Sequence, residues 1–401
     1  KEAADFMMRQ FQRFVPDVRC EKFPVGERCV ENETLEIEFD GAWRRFDSSL
    51  YGGAPTTGGA PLEAEIVFFD PHTDYQRNDL SFLTGKAVIH YGNAFPSGEA
   101  YRRMMEVKPA FLLMVDTRHI SEMTLADGLF PAYVRQYGAL PTVSVAGVAA
   151  QNWVRQKASR ARLCVTGCVR PAVSHNVVAE LSGTAPDGKI IYVCGHLDTQ
   201  SGDPGADDNA VACAMTLELA RIMSEKPHKR TIRFINFGAE EQLSVGSCAY
   251  IAAHQEEIGN GGVCFNFDEC GTAVGWTLLH INARPALREK IRASLNAGDI
   301  YFVEDTTPSP TNDFFPFSAH GIGGFSMERY NNEISIDYHH RADDTIDKLS
   351  MEVVARHVNA IADALNFLAD APDIGDCCGI SPENETLTRL RWEETFEGAL
   401  Q

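Results

Sequence analysis

The sequence has far fewer basic than acidic residues, 36 lysines and arginines against 56 aspartates and glutamates, which gives a formal net charge of −20. A surface of this sign offers no electrostatic attraction to phosphate, so we expect neither nucleic acid nor an anionic membrane as partner. No apolar run approaches the roughly 20 residues of a membrane span. The 401 residues are 44% hydrophobic and 23% charged, the profile of a globular protein with room for two cores.

The eleven cysteines also lack the spacing of a metal or disulfide framework. Cys164-x-x-x-Cys168 has no second pair at the distance that a structural zinc knuckle requires. Several others lie in apolar runs, where cysteine behaves as a small hydrophobe. This usage favours reduced thiols and an intracellular protein, whereas export would allow Cys20 to pair with Cys29.

The first 172 residues divide into two regions with different sequence patterns. Residues 1–39 open with an amphipathic helix at 3–14 and continue through a loop-like stretch at 17–38. Residues 40–172 alternate β-like runs with Gly/Pro-rich loops, which predicts a mixed α/β module without a catalytic cluster. The predicted strands there are Glu65–Phe69, Lys86–Tyr91, Phe111–Val115 and Pro141–Val145.

Strands and helices alternate regularly over residues 173–375, which predicts a mixed, mostly parallel sheet flanked by helices. The strands are expected at 190–194, 231–237, 262–267, 276–281, 300–304 and 323–327. The helices are expected at 209–225, 246–257, 285–296 and 350–370. The tail, 376–401, has little periodicity, and we expect it to pack on the surface.

One strand and the loop after it organise this second domain. The buried run 190–194 leads into Gly195-His196-Leu197-Asp198, and an acidic loop then opens a helix at Asp208-Asn209. An imidazole at a strand end, followed by acidic loop residues, is how α/β enzymes place metal ligands at a sheet edge. A surface loop before a capped helix would give the same pattern, because Asp and Asn are good N-caps.

Further acidic and imidazole clusters follow other strand ends. They are Gly238-Ala239-Glu240-Glu241, Asp268-Glu269 and Tyr338-His339-His340-Arg341-Ala342-Asp343-Asp344-Thr345. Adjacent carboxylates repel each other unless positive charge lies beside them, and a pair of zinc ions would supply it. Nitrogen and oxygen ligands without cysteine are typical of catalytic zinc with open positions.

These motifs have a known counterpart. GHLDT, GADDN, AEE-x4-GS, NFD and HxxxDT occur in the order and approximate spacing of the co-catalytic two-zinc exopeptidases. Residues 173–370 and the N-terminal helix thus resemble a family that includes bacterial double-zinc aminopeptidases, carboxypeptidase Q, glutamate carboxypeptidase II and glutaminyl cyclase. Residues 83–89 and 140–143 resemble the protease-associated domain often inserted in such enzymes. The resemblance implies a phosphorylase-like peptidase fold and, from relatives with that insertion, an exported protein.

The resemblance also implies a set of metal ligands for two Zn²⁺ ions. His196 and Asp268 would bind one ion, while Glu241 and His340 would bind the other. Asp208 would bridge both ions, and the peptide bond that follows it is expected to be cis.

Three further roles come from the same comparison of motifs. Glu240 would be the general base, accepting a proton from a zinc-activated water and delivering it to the leaving amine. Asp198 and Asp344 would support the histidine ligands from the second layer. His339 is a rival ligand, but only His340 stands four residues before the Asp-Thr pair.

Candidate substrate-pocket residues are Glu269, Asp313, Phe314 and Tyr338. Glu269 follows the third acidic ligand, where family members often carry an apolar or small residue. It could favour basic substrate side chains or hold the N-terminal ammonium of a peptide. Phe314 could line an apolar pocket, and core packing is the alternative.

The function that these features favour is an aminopeptidase acting on peptides through a water activated by two zinc ions. A carboxypeptidase or dipeptidase on the same scaffold would need cations that grip a free carboxylate, and Arg329 and Arg341 are candidates. A glutaminyl cyclase works with a single zinc, and a non-catalytic binding protein would be expected to lack a ligand or the base. Residue preference, compartment and oligomeric state stay open.

Overall fold

The computed structural model describes residues 1–117, 122–124, 127–330 and 338–396. The strands in these ranges are β1 (Asp17–Phe39), β2 (Ala42–Phe46), β3 (Ser49–Leu50), β4 (Leu62–Phe69), β5 (Ala87–His90), β6 (Phe111–Val115), β7 (Thr142–Val145), β8 (Arg160–Leu181), β9 (Ile190–His196), β10 (Thr231–Phe237), β11 (Gly262–Phe267), β12 (Trp276–Asn282), β13 (Phe302–Asp305) and β14 (Gly323–Tyr330).

The helices cover the faces of the sheets and join the strands. They are α1 (Glu2–Phe11), α2 (Pro71–Asp74), α3 (Gly98–Val107), α4 (Pro131–Tyr137), α5 (Gly147–Arg155), α6 (Val211–Met223), α7 (Val245–Ala253), α8 (Gln255–Gly259), α9 (Pro285–Ala297), α10 (Phe314–Ala319), α11 (Met351–Asp370) and α12 (Glu385–Thr395). Within the described part of the chain, no helix has both the length and the apolarity needed to cross a membrane.

The larger sheet has the strand order β13-β12-β14-β11-β9-β10-β8 and is mixed but mostly parallel, as predicted. Its central strand β9 is buried at every residue, the pattern of a strand covered on both faces. Ile191 and Val193 belong to the core under α1, α6, α9 and α11, whereas Tyr192 packs on the opposite face with α7 and α10. The predicted α/β class is therefore confirmed.

A second group of parallel strands, β4-β5-β6-β7, forms the body of the segment between β1 and β8. Its four predicted strands are all present, with shifts of a few residues at their ends. The core there is built around the fully buried Trp153 and Phe111. The predicted boundary between residues 172 and 173 lies inside β8, so one strand serves both parts of the chain.

The expectation of a loop at residues 17–38 is wrong, because β1 runs through all of it. β1 pairs with β8 antiparallel from Asp17 opposite Glu180 to Glu38 opposite Arg160. Much of the middle of this two-stranded stretch is exposed or half-buried, so its side chains need no alternation of polar and apolar residues. Its regularity comes from backbone hydrogen bonds between the strands, which leave little trace in the sequence.

The pairing of Cys20 with Cys29 is also excluded. Both residues lie on β1, nine positions apart, which at about 3.3 Å per residue separates them by roughly 30 Å. A disulfide tolerates a Cα separation of at most about 7 Å.

The tail contains a helix that its sequence did not indicate. The side chain of Glu394 in α12 accepts hydrogen bonds from the backbone N–H of Gly98 (3.0 Å) and the hydroxyl of Tyr133 (2.9 Å). Trp392 and Phe396 stack with ring centroids 4.8 Å apart, and Phe396 is buried. Because α12 is otherwise polar, it lacks the broad apolar stripe that marks most helices.

Candidate metal centre

The centre lies where three neighbouring parallel strands end. His196 is the last residue of β9 and pairs in register with Phe237 at the end of β10. Asp268 follows directly after β11, the neighbour on the other side. The carboxyl ends of parallel strands meet at one edge of a sheet, which brings these separate motifs together.

The buried His196 ring is held by the main chain and faces two carboxylates. Its Nδ1 lies 3.0 Å from the backbone oxygen of Asp198. Its Nε2 lies 3.1 Å from Oδ1 of Asp208 and 3.2 Å from Oδ1 of Asp268. The ring is therefore oriented by the carbonyl of Asp198, whose carboxylate lies farther away at 3.8 Å.

The carboxylate of Asp198 supports the glutamate pair instead. It accepts hydrogen bonds from the backbone N–H of Glu240 (3.1 Å) and of Glu241 (3.3 Å). These residues form a short 3-10 turn after Ala239, a non-glycine residue in the left-handed region at φ 57°. Gly246 of the AEE-x4-GS motif lets α7 approach this turn, since a Cβ there would lie 2.1 Å from the carbonyl oxygen of Gly238.

Asp208 lies between two imidazoles. While its Oδ1 faces His196, its Oδ2 lies 3.2 Å from Nε2 of His340, which is also 3.0 Å from Oε2 of Glu241. The peptide bond from Asp208 to Asn209 is cis, as the resemblance implied. The five predicted ligands thus form two groups that share one carboxylate.

Asp344 supports the turn that carries Asp208. Its carboxylate accepts hydrogen bonds from the backbone N–H groups of Asp207 and Asp208, at 3.0 Å each to the nearer oxygen. It was expected to support the centre near His340, and its hydrogen bonds hold the loop of the shared carboxylate.

The charges of the cluster are strongly coupled. Burial raises the pKa of Glu241 to about 7 and that of Asp268 to about 6. Burial opposes ionisation of Asp208 too, but hydrogen bonds from His196 and His340 hold its pKa well below the usual range. The neighbouring carboxylates overcome the effect of burial on the two histidines and raise their pKa values well above the ordinary one. The carboxylates therefore require positive charge between them.

The donor atoms fit divalent cations of the zinc type. Four imidazole-to-carboxylate distances of 3.0–3.2 Å are close to the roughly 3.3 Å edge of a tetrahedron with 2.0–2.1 Å bonds. Oε1 of Glu241 is buried and has no hydrogen-bond partner among the described residues. Histidine with carboxylate and no thiolate is the donor set of a catalytic zinc site.

His339 adjoins its neighbour, and His339, His340 and Asp208 form one group of donors close enough together to hold a metal ion. Its ring stacks on that of His340 with centroids 3.6 Å apart, and its Nδ1 lies 2.8 Å from Oε1 of Glu269. The same nitrogen is 3.4 Å from Oδ2 of Asp208. Sequence reasoning missed this histidine–glutamate pair, since only the fold brings residues 70 positions apart together.

Two other contacts at the centre were not foreseen. The amide nitrogen of Gln200 donates to Oε2 of Glu241 at 3.0 Å, and Oγ of Ser244 donates to Oε1 of Glu240 at 3.1 Å. Gln200 and Ser244 lie in polar loops, and nothing in the composition of those loops distinguishes them from other polar residues. The sequence therefore did not predict these contacts.

The remaining pocket candidates are all buried. The hydroxyl of Tyr338 donates to Oδ2 of Asp207 at 3.2 Å. Asp313 is buried and accepts a hydrogen bond from Oγ of Ser247 at 2.5 Å. Phe314 is buried and lines a small cleft together with Asn312 and other residues.

Comparison with known proteins agrees with this geometry. Residues 176–365 match the model of peptidase family M28. Aminopeptidase YwaD of Bacillus subtilis (strain 168) is 30% identical over 363 residues, which cover 88% of this chain and 76% of that protein. Carboxypeptidase Q of Homo sapiens is 32% identical over 98 residues, covering 24% of this chain and 21% of its own.

Two solved structures share the fold. The peptidase M28 precursor from Shewanella amazonensis SB2B has a TM-score of 0.77 at 20% identity, covering 95% of this chain and 89% of that one. BSAP, a zinc aminopeptidase from Bacillus subtilis, has a TM-score of 0.75 at 19% identity, covering 95% and 91%. The family expected from the motifs is confirmed, and this chain belongs to peptidase family M28.

Proposed function

We propose that this protein is a zinc-dependent aminopeptidase that releases N-terminal residues from peptides. The observation that carries the proposal is the position of Asp208, whose two oxygens face His196 and His340 at 3.1 and 3.2 Å. The names of the related proteins, aminopeptidase YwaD and a zinc aminopeptidase of known structure, support it.

Two Zn²⁺ ions are assigned to the two groups of ligands. His196, Asp268 and one oxygen of Asp208 would hold one ion, while His340, Glu241 and the other oxygen would hold the second. Bound zinc supplies Lewis-acid polarisation of a peptide carbonyl and acidifies water.

Glu240 is assigned as the group that moves the proton. Burial, reinforced by the nearby carboxylates of Asp313 and Asp268, raises the pKa of Glu240 well above its ordinary value. A carboxylate of raised pKa is a stronger base, so Glu240 can accept a proton from attacking water and return it to the leaving nitrogen. The hydroxyl of Ser244 and the backbone contact to Asp198 hold it in place.

The surroundings favour an aminopeptidase over a carboxypeptidase. Both candidate arginines are buried and engaged, Arg329 with the carbonyl oxygens of Thr272 (2.7 Å) and Gly275 (2.8 Å), and Arg341 with the carboxylate of Asp343 (2.8 Å). The carboxylates around the centre instead suit a substrate ammonium. Glu269, positioned by its contact with His339, is the group we assign to it.

We further infer that residues 40–172 form a protease-associated domain that borders the substrate. Sδ of Met123 in this segment lies 3.7 Å from a guanidinium nitrogen of Arg341, the residue after His340. Met123→Ala should therefore raise KM for a peptide more than it lowers kcat. An unchanged KM would contradict this assignment.

The central experiment replaces the base and leaves the ligands intact. Glu240→Gln should lower kcat by several orders of magnitude on an aminoacyl anilide, with zinc content unchanged. Glu256→Gln, an exposed glutamate on α8, is the matched control and should retain full activity. Full activity of Glu240→Gln would refute its role as base, and an inactive zinc-loaded wild type would refute the function itself.

A further inference from the structure

Cys29 and Cys168 lie directly opposite each other in the antiparallel pairing of β1 with β8. Residues in this relation have Cα atoms about 4.5 or 5.5 Å apart and side chains on the same face of the sheet. A disulfide bond needs a Cα separation of about 4.4–6.8 Å. The register therefore brings the two thiols within bonding geometry.

The next pair along the same face shows that side chains there meet. Glu27 lies opposite Arg170, and Nε of Arg170 donates to Oε2 of Glu27 at 2.7 Å. No shift in register separates this pair from the cysteine pair, since the irregularity of the strand begins after Val30. Glu27 first, and then Cys29 and Cys168, raise the pKa of the Arg170 guanidinium.

The two thiols are also accessible. Cys168 is exposed and Cys29 is half-buried, whereas Cys194 and Cys264 on adjacent strands are buried and closed to an external reagent. The other cysteines of β1 and β8 have no cysteine opposite, because Cys20 faces Val177 and Cys164 faces Thr34.

We propose that Cys29 and Cys168 form a redox-active disulfide site, oxidised by an external small-molecule or protein disulfide. The thiolate of the more exposed Cys168 attacks one sulfur of the external disulfide and expels a thiolate. The thiolate of Cys29 then attacks the sulfur of Cys168 in the mixed disulfide and expels the second thiolate. Two protein thiols are oxidised, the external disulfide is reduced to two thiols, and the two protons pass to those products.

The bond would close a loop that contains residues 30–167, including every strand from β2 to β7. It would link β1 to β8, the two strands that connect this segment to the larger sheet. Since closing a long loop restricts the unfolded chain, oxidation should raise the melting temperature by about 5 °C.

The test treats the full chain with glutathione disulfide and compares it with chain kept in dithiothreitol. Thiol titration should show a loss of two thiols per chain, and peptide mapping without reduction should find residues 29 and 168 linked. Cys29→Ser and Cys168→Ser should each abolish the link and the rise in melting temperature. Cys164→Ser, on the same strand, is the control and should form the link normally.

Three results would overturn the proposal. They are an unchanged thiol count, a stable glutathione adduct on Cys168 without ring closure, and links between chains or through other cysteines. None of these measurements depends on peptidase activity, so they test the disulfide site independently of the proposed function.

Discussion

The carboxylate of Asp344 accepts a hydrogen bond of 3.0 Å from the backbone N–H of Asp208, across 136 residues of sequence. The contact fixes the peptide group that carries the carboxylate shared by both halves of the centre. Asp344 thus positions the shared carboxylate without itself facing the metal site.

Asp344→Asn should lower zinc affinity by about 10–100-fold, the usual effect of losing support behind a ligand. The amide keeps the shape of the side chain but replaces one acceptor oxygen with a donor, which opposes the N–H groups of Asp207 and Asp208. Competition with a chelating dye measures the change. Asp347→Asn, an exposed position in the same segment, should bind zinc as the wild type does.

Replacing each of the two adjacent histidines should have a different effect on the zinc content of the protein. His340→Ala removes the nitrogen that faces Asp208 and Glu241, so zinc content should fall from two ions to about one per chain. His339→Ala removes the partner of Glu269 but none of the five assigned ligands, and should retain two. Elemental analysis after dialysis measures the zinc content of both variants. One ion in His339→Ala and two in His340→Ala would assign His339 as the ligand.

Arg233 is expected to be a major contributor to stability away from the centre. It is buried and pairs with Glu180 (2.5 Å) and Glu257 (2.7 Å). Arg233→Ala removes the buried partner of two half-buried carboxylates and, because solvent screens part of the loss, should cost about 1–3 kcal/mol in the free energy of unfolding. Arg221 also pairs with two glutamates, but at the surface, so urea denaturation should show a much smaller loss of stability for Arg221→Ala than for Arg233→Ala.

His90 should make the protein acid-sensitive. Burial lowers its pKa from 6.5 to about 4, and the ring packs against Phe69 and Phe95. The folded state therefore binds fewer protons than the unfolded state, and stability present above pH 6.5 is lost as the pH falls towards 4. The loss should reach about 3 kcal/mol at most.

Denaturation between pH 7 and pH 4 measures this slope. His90→Phe should flatten it, whereas His72→Gln, an exposed histidine in the same part of the chain, should leave it unchanged. Equal slopes in all three proteins would show that His90 does not titrate on unfolding.

The strands that the sequence predicted well are those buried on both faces. Phe111–Val115, Thr231–Phe237 and Gly262–Phe267 match their predicted bounds, because a short continuous apolar run has few alternatives in an α/β protein. β1 and α12 were missed for the opposite reason. Both are stabilised by partners distant in sequence, β8 and Glu394's contacts with Gly98 and Tyr133, which no local pattern records.

At the centre, the motif spacing predicted which side chains come together but not which atom of each makes the contact. Asp198 was expected to orient His196; its carbonyl oxygen lies nearest the ring, while its carboxylate accepts hydrogen bonds from Glu240 and Glu241. The contact of the Tyr338 hydroxyl with Asp207 was likewise not predicted. These outcomes depend on loop conformation, which five short motifs leave undetermined.

The most direct test compares one short peptide in free, N-acetylated and C-amidated forms on the zinc-loaded protein, with a chelated control. An aminopeptidase should cleave the free and amidated forms, lose the acetylated one, and stop when zinc is removed. Cleavage that survives acetylation but is lost on amidation would contradict the account and identify a carboxypeptidase. No cleavage of any form with zinc bound would refute the peptidase function.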